Sequence, residues 1–599
     1  IHTAFIFFLF LMNFQQIMSQ SEAKLTWSVQ MPEPYTHYFT VKLIIENNHA
    51  DSLKVQMPVW TPGSYLVREY AKNVENFQVK NSQGKVLSFK KYNKNSWQIA
   101  ANGSEKIEIS YQSYAYELSV RTCFLSDEYA YINGAGLFLY LADQPSKGGT
   151  LLVEAAPQFK KLSTALSHKQ KGNSWEIAVP DFDTLVDSPI LVGNQELMDF
   201  KAAGVPHQLA IVGGGNYDSA RMVSNIQRIV EVETKLFGSN PCNHYLFIVL
   251  NTESSYGGLE HLFSTSLIYP RWRYKPDGTY MKFLGLAAHE YFHLWNVKRI
   301  RPIELGPFDY SNENYTDLLW QVEGFTSYYD DYFLRRAGLM SEDAYLAVLA
   351  ENIAYALNTP GSLVEPLADA SFDTWIKFYR KNENSVNANV SYYVKGAAVA
   401  FMLDALIRAN SEGKNSLDDV LRHLYQHYYQ ELGRGFTDAE LKTTLEKFTQ
   451  TNLDQFYADY IYGTKALDYP KYLSMLGLAV EAETMDPDKV YFGVNTKNEG
   501  DNIIVTEVFK DSPAWKAGIN VNDELIAVND YRFKSNLSEM LQNFAQNETV
   551  NVLVSRDGIL QNIKVTLGSN PRVKLKIFPD QNATSAQKAY FQDWIKAVD

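Results

Sequence analysis

The spacing of hydrophobic residues changes along the chain. Residues 38–47, 77–89 and 106–114 alternate between apolar and polar positions, in short runs separated by turn residues, which predicts β-strands. From 219 to 238 the apolar residues recur at helical spacing and end on a glycine, and 244–251 is a continuous apolar run typical of a buried strand. The pattern predicts an N-terminal β-sandwich followed by a region that mixes helix and sheet.

The later part of the chain is predicted to be helical up to about residue 462. Ser416 and Thr437 each open a sequence that fits a helix capping box. A β-rich unit follows, with a helix at 537–545 and a hairpin that turns at Asp557-Gly558. The amphipathic stretch at 586–595 predicts a last helix packed on a neighbouring part of the protein.

The predicted fold class is multidomain α+β. A chain of 599 residues with 46% hydrophobic and 21% charged residues has enough apolar sequence for several cores. The predicted units are a signal segment at 1–20, the β-sandwich at 21–185, an α/β region at 186–312, a helical region at 313–480, a compact β-rich unit at 487–570 and a tail at 571–599. A net charge of −13 excludes nucleic acid as an expected partner, because binding to phosphates depends on clustered lysine and arginine.

An apolar run from Ala4 to Met12, followed by polar residues and the small residue Ser19, predicts a secretory signal. We therefore expect export to the periplasm or the medium, with an uncleaved anchor as the alternative. The run is shorter than the ~20 apolar residues that span a bilayer, so no membrane span is expected after signal removal. Cys123 and Cys242 are compatible with one disulfide or with two buried free thiols.

The sequence HEYFH lies within an apolar segment, 281–297, which predicts a helix buried in a core. His289 and His293 are four residues apart and therefore share one helix face. Zinc binds such imidazole nitrogens, and Glu290 is placed to act as general base toward a water molecule. This pattern predicts the metal-binding part of a hydrolase.

A zinc site used in catalysis needs a third protein ligand and one open position. Glu323 lies in the apolar segment 318–333, where a lone buried carboxylate is costly unless it is paired or bound to metal. The competing carboxylates flank that segment and are expected to be solvated; they are Glu313, Asp317, Asp330 and Asp331. The prediction is one Zn²⁺ per chain, held by His289, His293 and Glu323.

A second histidine pair shows the contrasting pattern. His423 and His427 are also four apart, but they share a stripe with Asp419 and Glu431 on a helix that has a separate apolar side. We interpret this stripe as a solvent-exposed face without metal.

Several stretches together carry a family resemblance. They are HEYFHLWNVKRIRP at 289–302, WQVEGFTSYYDDYF at 320–333, YVKG at 393–396 and MPVWTPGSYLVREYAKNVENF at 57–77. They resemble the glycyl aminopeptidase family of gluzincin-type zinc peptidases. The resemblance implies a β domain, a thermolysin-like catalytic domain with a helical lobe, and a C-terminal PDZ domain.

The resemblance also implies residue roles. The sequence YGGLEH is similar to the G-x-M-E-N exopeptidase motif, which implies that Glu260 binds the free amino group of the substrate, while Gly257 and Gly258 let its backbone come close. The alternative is a solvated Glu260 on an edge strand. The YVKG segment implies that Tyr393 stabilises the oxyanion, with Tyr392 as the alternative.

The stretches VYFGVN at 490–495 and SPAWKAGI at 512–519 resemble a PDZ domain. This implies that Phe492, Gly493 and Val494 form a loop that captures the C-terminus of a peptide. The alternative is a docked structural domain whose groove is unused.

The predicted function is that of an exported zinc aminopeptidase that acts on peptides with a free N-terminus. The family name implies that glycine or another small residue is removed. Two alternatives stay open at this point: a zinc endopeptidase with the same chemistry, and a catalytically inert scaffold that binds peptides through the PDZ groove.

Overall fold

The computed structural model describes residues 23–533 and 536–598. The predicted signal segment at 1–20 lies outside these residues. Among the residues described, no helix has both the length and the apolar character needed to cross a membrane.

The N-terminal part is β-rich, as predicted, and consists of three sheets around a shared core. In spatial order, the large sheet contains His168–Lys171, Ser174–Val179, Gly149–Glu154, Lys24–Gln30, Tyr38–Glu46, Lys106–Tyr114 and Val74–Asn81. The second sheet contains Tyr140–Leu141, Ser52–Gln56, Ser96–Ala100 and Phe89–Asn93, and the third contains Lys161–Ser163, Ile190–Gly193, Ala130–Ile132 and Phe124–Leu125. The strand at 38–46 buries every second side chain, which is the alternation seen in its sequence.

A mixed five-stranded sheet follows. Its strands, in spatial order, are Glu196–Ala202, Val205–Val212, Tyr245–Thr252, Ser264–Pro270 and Gly257–Glu260. The helix Ser219–Phe237 ends at Gly238, whose φ of 83° is the left-handed conformation expected of a helix terminator. The strand Gly257–Glu260 lies at the edge of the sheet, next to the helix Asp277–Phe292 that carries the HEYFH sequence.

The helical region begins with Leu319–Arg336, which carries Glu323. Its other α-helices are Glu342–Asn358, Leu367–Phe372, Ser385–Ala388, Val394–Asn410, Leu417–His423, Asp438–Thr449, Asp454–Phe456 and Tyr469–Met475, and Leu424–Glu431 and Tyr457–Ile461 are π-helical. The capping box predicted at Thr437 is confirmed, with reciprocal bonds to Glu440. A Cβ at Gly324 would lie 2.6 Å from the Cα of Gly396, so glycine lets these two helices pack closely and brings Tyr393 near Glu323.

The unit after residue 489 has the PDZ-like architecture that was predicted. Its main sheet contains Val494–Glu499, Asn502–Val508, Glu524–Val528, Thr549–Arg556 and Ile559–Thr566 in that order. The remaining elements are the strands Val490–Tyr491, Tyr531–Arg532 and Gly568–Ser569 and the helices Pro513–Ala517 and Leu537–Leu541. The hairpin turns at Asp557-Gly558 as predicted, while the helix predicted at 537–545 is shorter and ends at Leu541.

Flanking strands and a buried side chain attach this unit to the rest of the chain. The strand Leu478–Thr484 precedes the unit in sequence and the strand Val573–Pro579 follows it. These two strands pair antiparallel with each other. The buried side chain of Asn387, in the helical region, donates to the carbonyl of Val508 and accepts from the backbone N–H of Lys510, both at 2.8 Å. We refer to this pair of bonds as the Asn387 clamp.

The last helix, Ser585–Ile595, packs against the helix that carries Glu323, as the sequence predicted for this amphipathic stretch. Trp594 is buried and donates from Nε1 to the hydroxyl of Tyr328 at 2.9 Å. The hydroxyl of Tyr332 donates to the carbonyl of Trp594 at 2.6 Å.

Both cysteines are buried free thiols, the second of the two alternatives that the sequence left open. Cys123 lies in the β domain and donates to the carbonyl of Asn133. Cys242 lies in the α/β region, next to the carbonyl of Leu262.

Candidate active site

The structure brings His289, His293 and Glu323 together. The Nε2 atoms of both histidines lie 3.4 Å from Oε2 of Glu323. Ligand atoms around a tetrahedral zinc ion with bonds of about 2.0–2.1 Å are about 3.3 Å apart. The spacing of these three side chains therefore fits one zinc ion.

The two imidazoles are oriented by bonds at their other nitrogens. His289 donates from Nδ1 to Oδ2 of Asp330 at 3.0 Å, and His293 donates from Nδ1 to the carbonyl of Asn296 at 2.6 Å. Each Nε2 is thus left as a lone-pair donor facing Glu323, the tautomer that a metal needs. Oε2 of Glu323 is buried and makes no hydrogen bond with the described part of the chain. A metal ion would satisfy this oxygen.

The helix with the HEYFH sequence ends earlier than predicted. The prediction was a helix over 281–297, whereas the observed helix is Asp277–Phe292 and His293 caps it. The chain turns here because the carbonyl of Asn296 accepts from His293 while the side-chain amide of Asn296 donates to the carbonyl of Val322 at 2.9 Å. The turn therefore fixes the second histidine against the helix that carries Glu323.

Asp330 was expected to be solvated, and this prediction is wrong. Its side chain is only 17% exposed and is bonded to His289, as described above. Asp331 is also partly buried. A carboxylate behind a metal-binding histidine fixes the ring and raises its basicity, so Asp330 is placed to support His289 without being one of the three candidate ligands.

We expect Asp330→Asn to weaken zinc binding by about 10- to 100-fold, because the amide removes the negative charge behind His289. Competition with a chromophoric chelator measures this. Asp501→Asn, in an exposed turn of the terminal unit, is the control and should bind zinc like the wild type. Equal zinc affinity in the Asp330 variant would contradict the assignment.

Glu290 lies over the site and is 5% exposed. A Cβ at Gly258 would collide with its Oε1, so glycine at 258 makes room for this carboxylate. Burial raises the pKa of Glu290 to about 7, although the nearby charges of His289 and His293 oppose the shift. A carboxylate with a pKa near neutrality is well suited to exchange protons with a water molecule.

The pKa of Glu323 moves in the opposite direction. Burial alone would raise it, but the electrostatic interaction with His293 and His289, whose Nε2 atoms lie 3.4 Å away, outweighs burial and holds the pKa at about 2. Glu323 is therefore the carboxylate of the site that stays ionised, as a metal ligand must.

Glu260 is buried, with 3% exposure, so the alternative of a solvated side chain is wrong. Gly63, from the β domain, has a φ of 81°, and a Cβ there would lie 2.5 Å from both carboxylate oxygens of Glu260. Oxygens of Glu260 and Glu290 and a ring nitrogen of His293 lie within 4.8 Å of one another. The β domain thus packs directly against Glu260.

Tyr393 lines the cleft, and its ring centroid lies 6.2 Å from that of His289. Burial, with the charge of Glu323, keeps its pKa well above the usual value, so its hydroxyl stays protonated and can donate. The alternative residue, Tyr392, is fully buried and its hydroxyl is bonded to Thr374 at 2.8 Å. Of the two tyrosines, Tyr393 is the one placed to reach a substrate.

The cleft has a volume of about 480 Å³. Its lining includes the three candidate ligands, Glu290, Glu260, Gly257, Gly258 and Tyr393, together with Gly63 and Arg121 from the β domain. Sequence reasoning assigned no role to Gly63 or Arg121. Gly63 lies within the WTPGSY stretch that carries the family resemblance, which was a usable signal, whereas no motif marked Arg121.

The second histidine pair lies on a partly exposed face, in agreement with the exposed stripe that its pattern predicted. The rings of His423 and His427 are stacked, and Nδ1 of His427 is bonded to Glu431 at 2.8 Å on a partly exposed face. Within residues 23–533 and 536–598, the groups that could hold a metal ion all belong to the cleft.

The predicted peptide-binding loop precedes an edge strand of the terminal unit. The carbonyls of Phe492 and Gly493 accept from the backbone N–H groups of Ala514 and Phe509 at 2.9 and 3.0 Å, so they face inward. Gly493 has a φ of 88° and leaves no room for a Cβ beside Ser512. The strand that begins at Val494 has a free edge. Such an edge can pair with an extended peptide.

The fold and the site define a metallopeptidase: a two-histidine, one-glutamate group that could hold a metal ion, with a second buried carboxylate beside it. Residues 26–194 match the Peptidase M61 N-terminal domain, 282–399 match the M61 glycyl aminopeptidase family, and 490–567 match a PDZ domain. These matches confirm the resemblance to the glycyl aminopeptidase family and identify the chain as an aminopeptidase of the metallopeptidase class.

One solved structure supports the same fold over nearly the whole chain. The chain is similar to an aminopeptidase N family protein from Idiomarina loihiensis, with 28% identity, a TM-score of 0.89, and coverage of 96% of this chain and 100% of that one. It is more distantly similar to a variant of an M1 zinc metallopeptidase from Deinococcus radiodurans, with 14% identity, a TM-score of 0.47, and coverage of 75% and 97%. No match was found among curated proteins.

Proposed function

We propose that the protein is an exported zinc aminopeptidase that removes glycine or another small N-terminal residue from peptides. The observation that carries the proposal is the buried carboxylate of Glu260, placed within 4.8 Å of the general-base candidate Glu290 and the metal-ligand candidate His293. A carboxylate at this position binds an ammonium group by a charge-assisted hydrogen bond.

We propose that His289, His293 and Glu323 hold one Zn²⁺ per chain. The orphaned oxygen of Glu323 and the two correctly oriented imidazoles support this assignment. When bound, zinc supplies Lewis acidity, which polarises a carbonyl and makes water more acidic.

The side chains and backbone of the cleft then have separate roles in the reaction. Glu290 takes a proton from the attacking water on its carboxylate and passes it to the leaving nitrogen. The Tyr393 hydroxyl donates to the oxygen that becomes negative, an interaction worth ~3–4 kcal/mol in other hydrolases. Gly257 and Gly258 leave space for the substrate backbone along the edge strand.

The buried carboxylate of Glu260 favours an aminopeptidase over the endopeptidase alternative. Gly63 lies against the carboxylate of Glu260, which packs the β domain next to the group that would bind the amino terminus. Within residues 23–533 and 536–598, Glu260 forms no salt bridge, and an N-terminal ammonium would supply a direct cationic partner for its buried carboxylate.

The remaining parts of the proposal have separate support. The preference for glycine rests on the match to the glycyl aminopeptidase family, and export rests on the signal pattern at residues 1–20. Capture of a peptide C-terminus by Phe492, Gly493 and Val494 is supported by the match to a PDZ domain and by the free edge strand.

The test combines zinc stoichiometry with a panel of aminoacyl p-nitroanilides that carry different N-terminal residues. We expect one zinc per chain, fastest cleavage of the glycyl and alanyl substrates, and no cleavage after N-acetylation. Comparable cleavage of acetylated peptides would favour the endopeptidase. Absence of both zinc and cleavage would favour the inert scaffold.

A further inference from the structure

An arginine from the β domain enters the cleft of the catalytic region. Arg121 is half-buried, lines the cleft, and donates from Nη2 to the carbonyl of Gly258 at 3.0 Å. The carbonyl of Gly258 points away from the neighbouring strand of the sheet, toward the open edge of the strand Gly257–Glu260. The arginine therefore reaches the open edge, where we place the substrate backbone.

The guanidinium of Arg121 has an N–H donor without a hydrogen-bond partner among the described residues. Nε of Arg121 is buried without a hydrogen-bond partner, and within the described ranges no carboxylate is paired with this side chain. Arginine has five N–H donors in a planar fork, and a partly buried cation is stabilised when an anion pairs with it. A ligand with a planar anionic group would complete these interactions.

The position of Arg121 along the strand sets the length of that ligand. Glu260 ends the strand, Gly258 lies beside Glu290, and a Cβ at Gly257 would lie 3.6 Å from Nη1 of Arg121. With a rise of about 3.4 Å per residue, Gly257 and Glu260 are about 10 Å apart along the strand. An extended peptide covers this distance with two to three residues.

We propose that Arg121 binds the C-terminal carboxylate of the substrate, so that the preferred substrates are dipeptides and tripeptides. The proposal rests on the proposed function, because Glu260 must hold the amino group at the other end. Arginine and carboxylate form paired, charge-assisted hydrogen bonds, which fix both the distance and the orientation of the peptide. The β domain would thereby select substrates by length.

The experiment compares kcat/KM for glycyl dipeptides and tripeptides that carry either a free carboxylate or a C-terminal amide. We expect the wild type to prefer the acids by about 10- to 100-fold, the range expected for one charged hydrogen-bonded contact, mainly through KM. Arg121→Gln should bring this acid-to-amide ratio close to one, and Arg121→Lys should keep part of it. Arg273→Gln, on an exposed arginine of the same region, is the matched control and should keep the full ratio.

Two results would overturn the inference: equal rates on acids and amides in the wild type, or an unchanged ratio in a folded Arg121→Gln variant. A longer series tests the length limit, because pentapeptides cleaved as efficiently as tripeptides would also contradict it. The aminoacyl p-nitroanilides distinguish failure of this inference from failure of the proposed function. They lack a carboxylate, so their cleavage shows aminopeptidase activity whether or not Arg121 has this role.

Discussion

Glu290→Gln is expected to lower kcat by about 10²- to 10⁴-fold while zinc stays bound, because glutamine keeps the shape of the side chain but cannot accept a proton. The carboxylate is buried over the metal-site candidates, and its pKa of about 7 makes it the group best matched to proton transfer near neutral pH. Glycyl p-nitroanilide hydrolysis measures the loss, and atomic absorption measures the zinc.

The result is informative only if the metal is retained. Loss of zinc together with activity would indicate a structural effect, and thermal unfolding of the variant would show whether its fold is intact. Hydrolysis as fast as that of the wild type would exclude Glu290 as general base and would remove the mechanistic core of the proposed function.

Glu323→Gln is expected to weaken zinc binding by more than about 100-fold, which is above the usual effect of removing an outer-shell partner. The amide is a poor metal ligand, and the variant would lose the charge that faces both histidines at 3.4 Å. We expect purified protein without zinc and without detectable activity, with partial recovery when zinc is added in excess.

The carboxylates that competed for this role provide the controls. Glu313→Gln and Asp317→Asn change charge in the same part of the chain, but neither residue lines the cleft. Both variants should retain one zinc and near wild-type activity. Zinc loss in either control, with zinc retained in Glu323→Gln, would show that Glu323 is not the third ligand.

The spacing of the histidines and the buried setting of Glu323 were readable from sequence because both depend on local helical periodicity. The position of Asp330 next to the site could also have been predicted from the sequence. It follows Glu323 by seven residues, which is two helical turns and therefore the same face. The end of the helix at Phe292 was harder to predict, because it depends on bonds from Asn296 to a separate helix.

The contribution of the β domain could not be predicted from local patterns. Arg121 and the carbonyl it binds are 137 residues apart in sequence, and Gly63 lies still farther from Glu260. Such contacts follow from how two domains pack, which a single sequence does not encode in its periodicity.

The Asn387 clamp bears on how the terminal domain can be studied. Asn387 precedes Tyr393 by six residues, and its buried amide relies on the terminal unit for both of its backbone partners there. Truncating the chain before residue 487 would leave this amide without those partners and loosen the segment that leads to Tyr393. A shortened enzyme with low activity would therefore say little about peptide capture, and single substitutions on the free edge of the Val494–Glu499 strand are the cleaner probe.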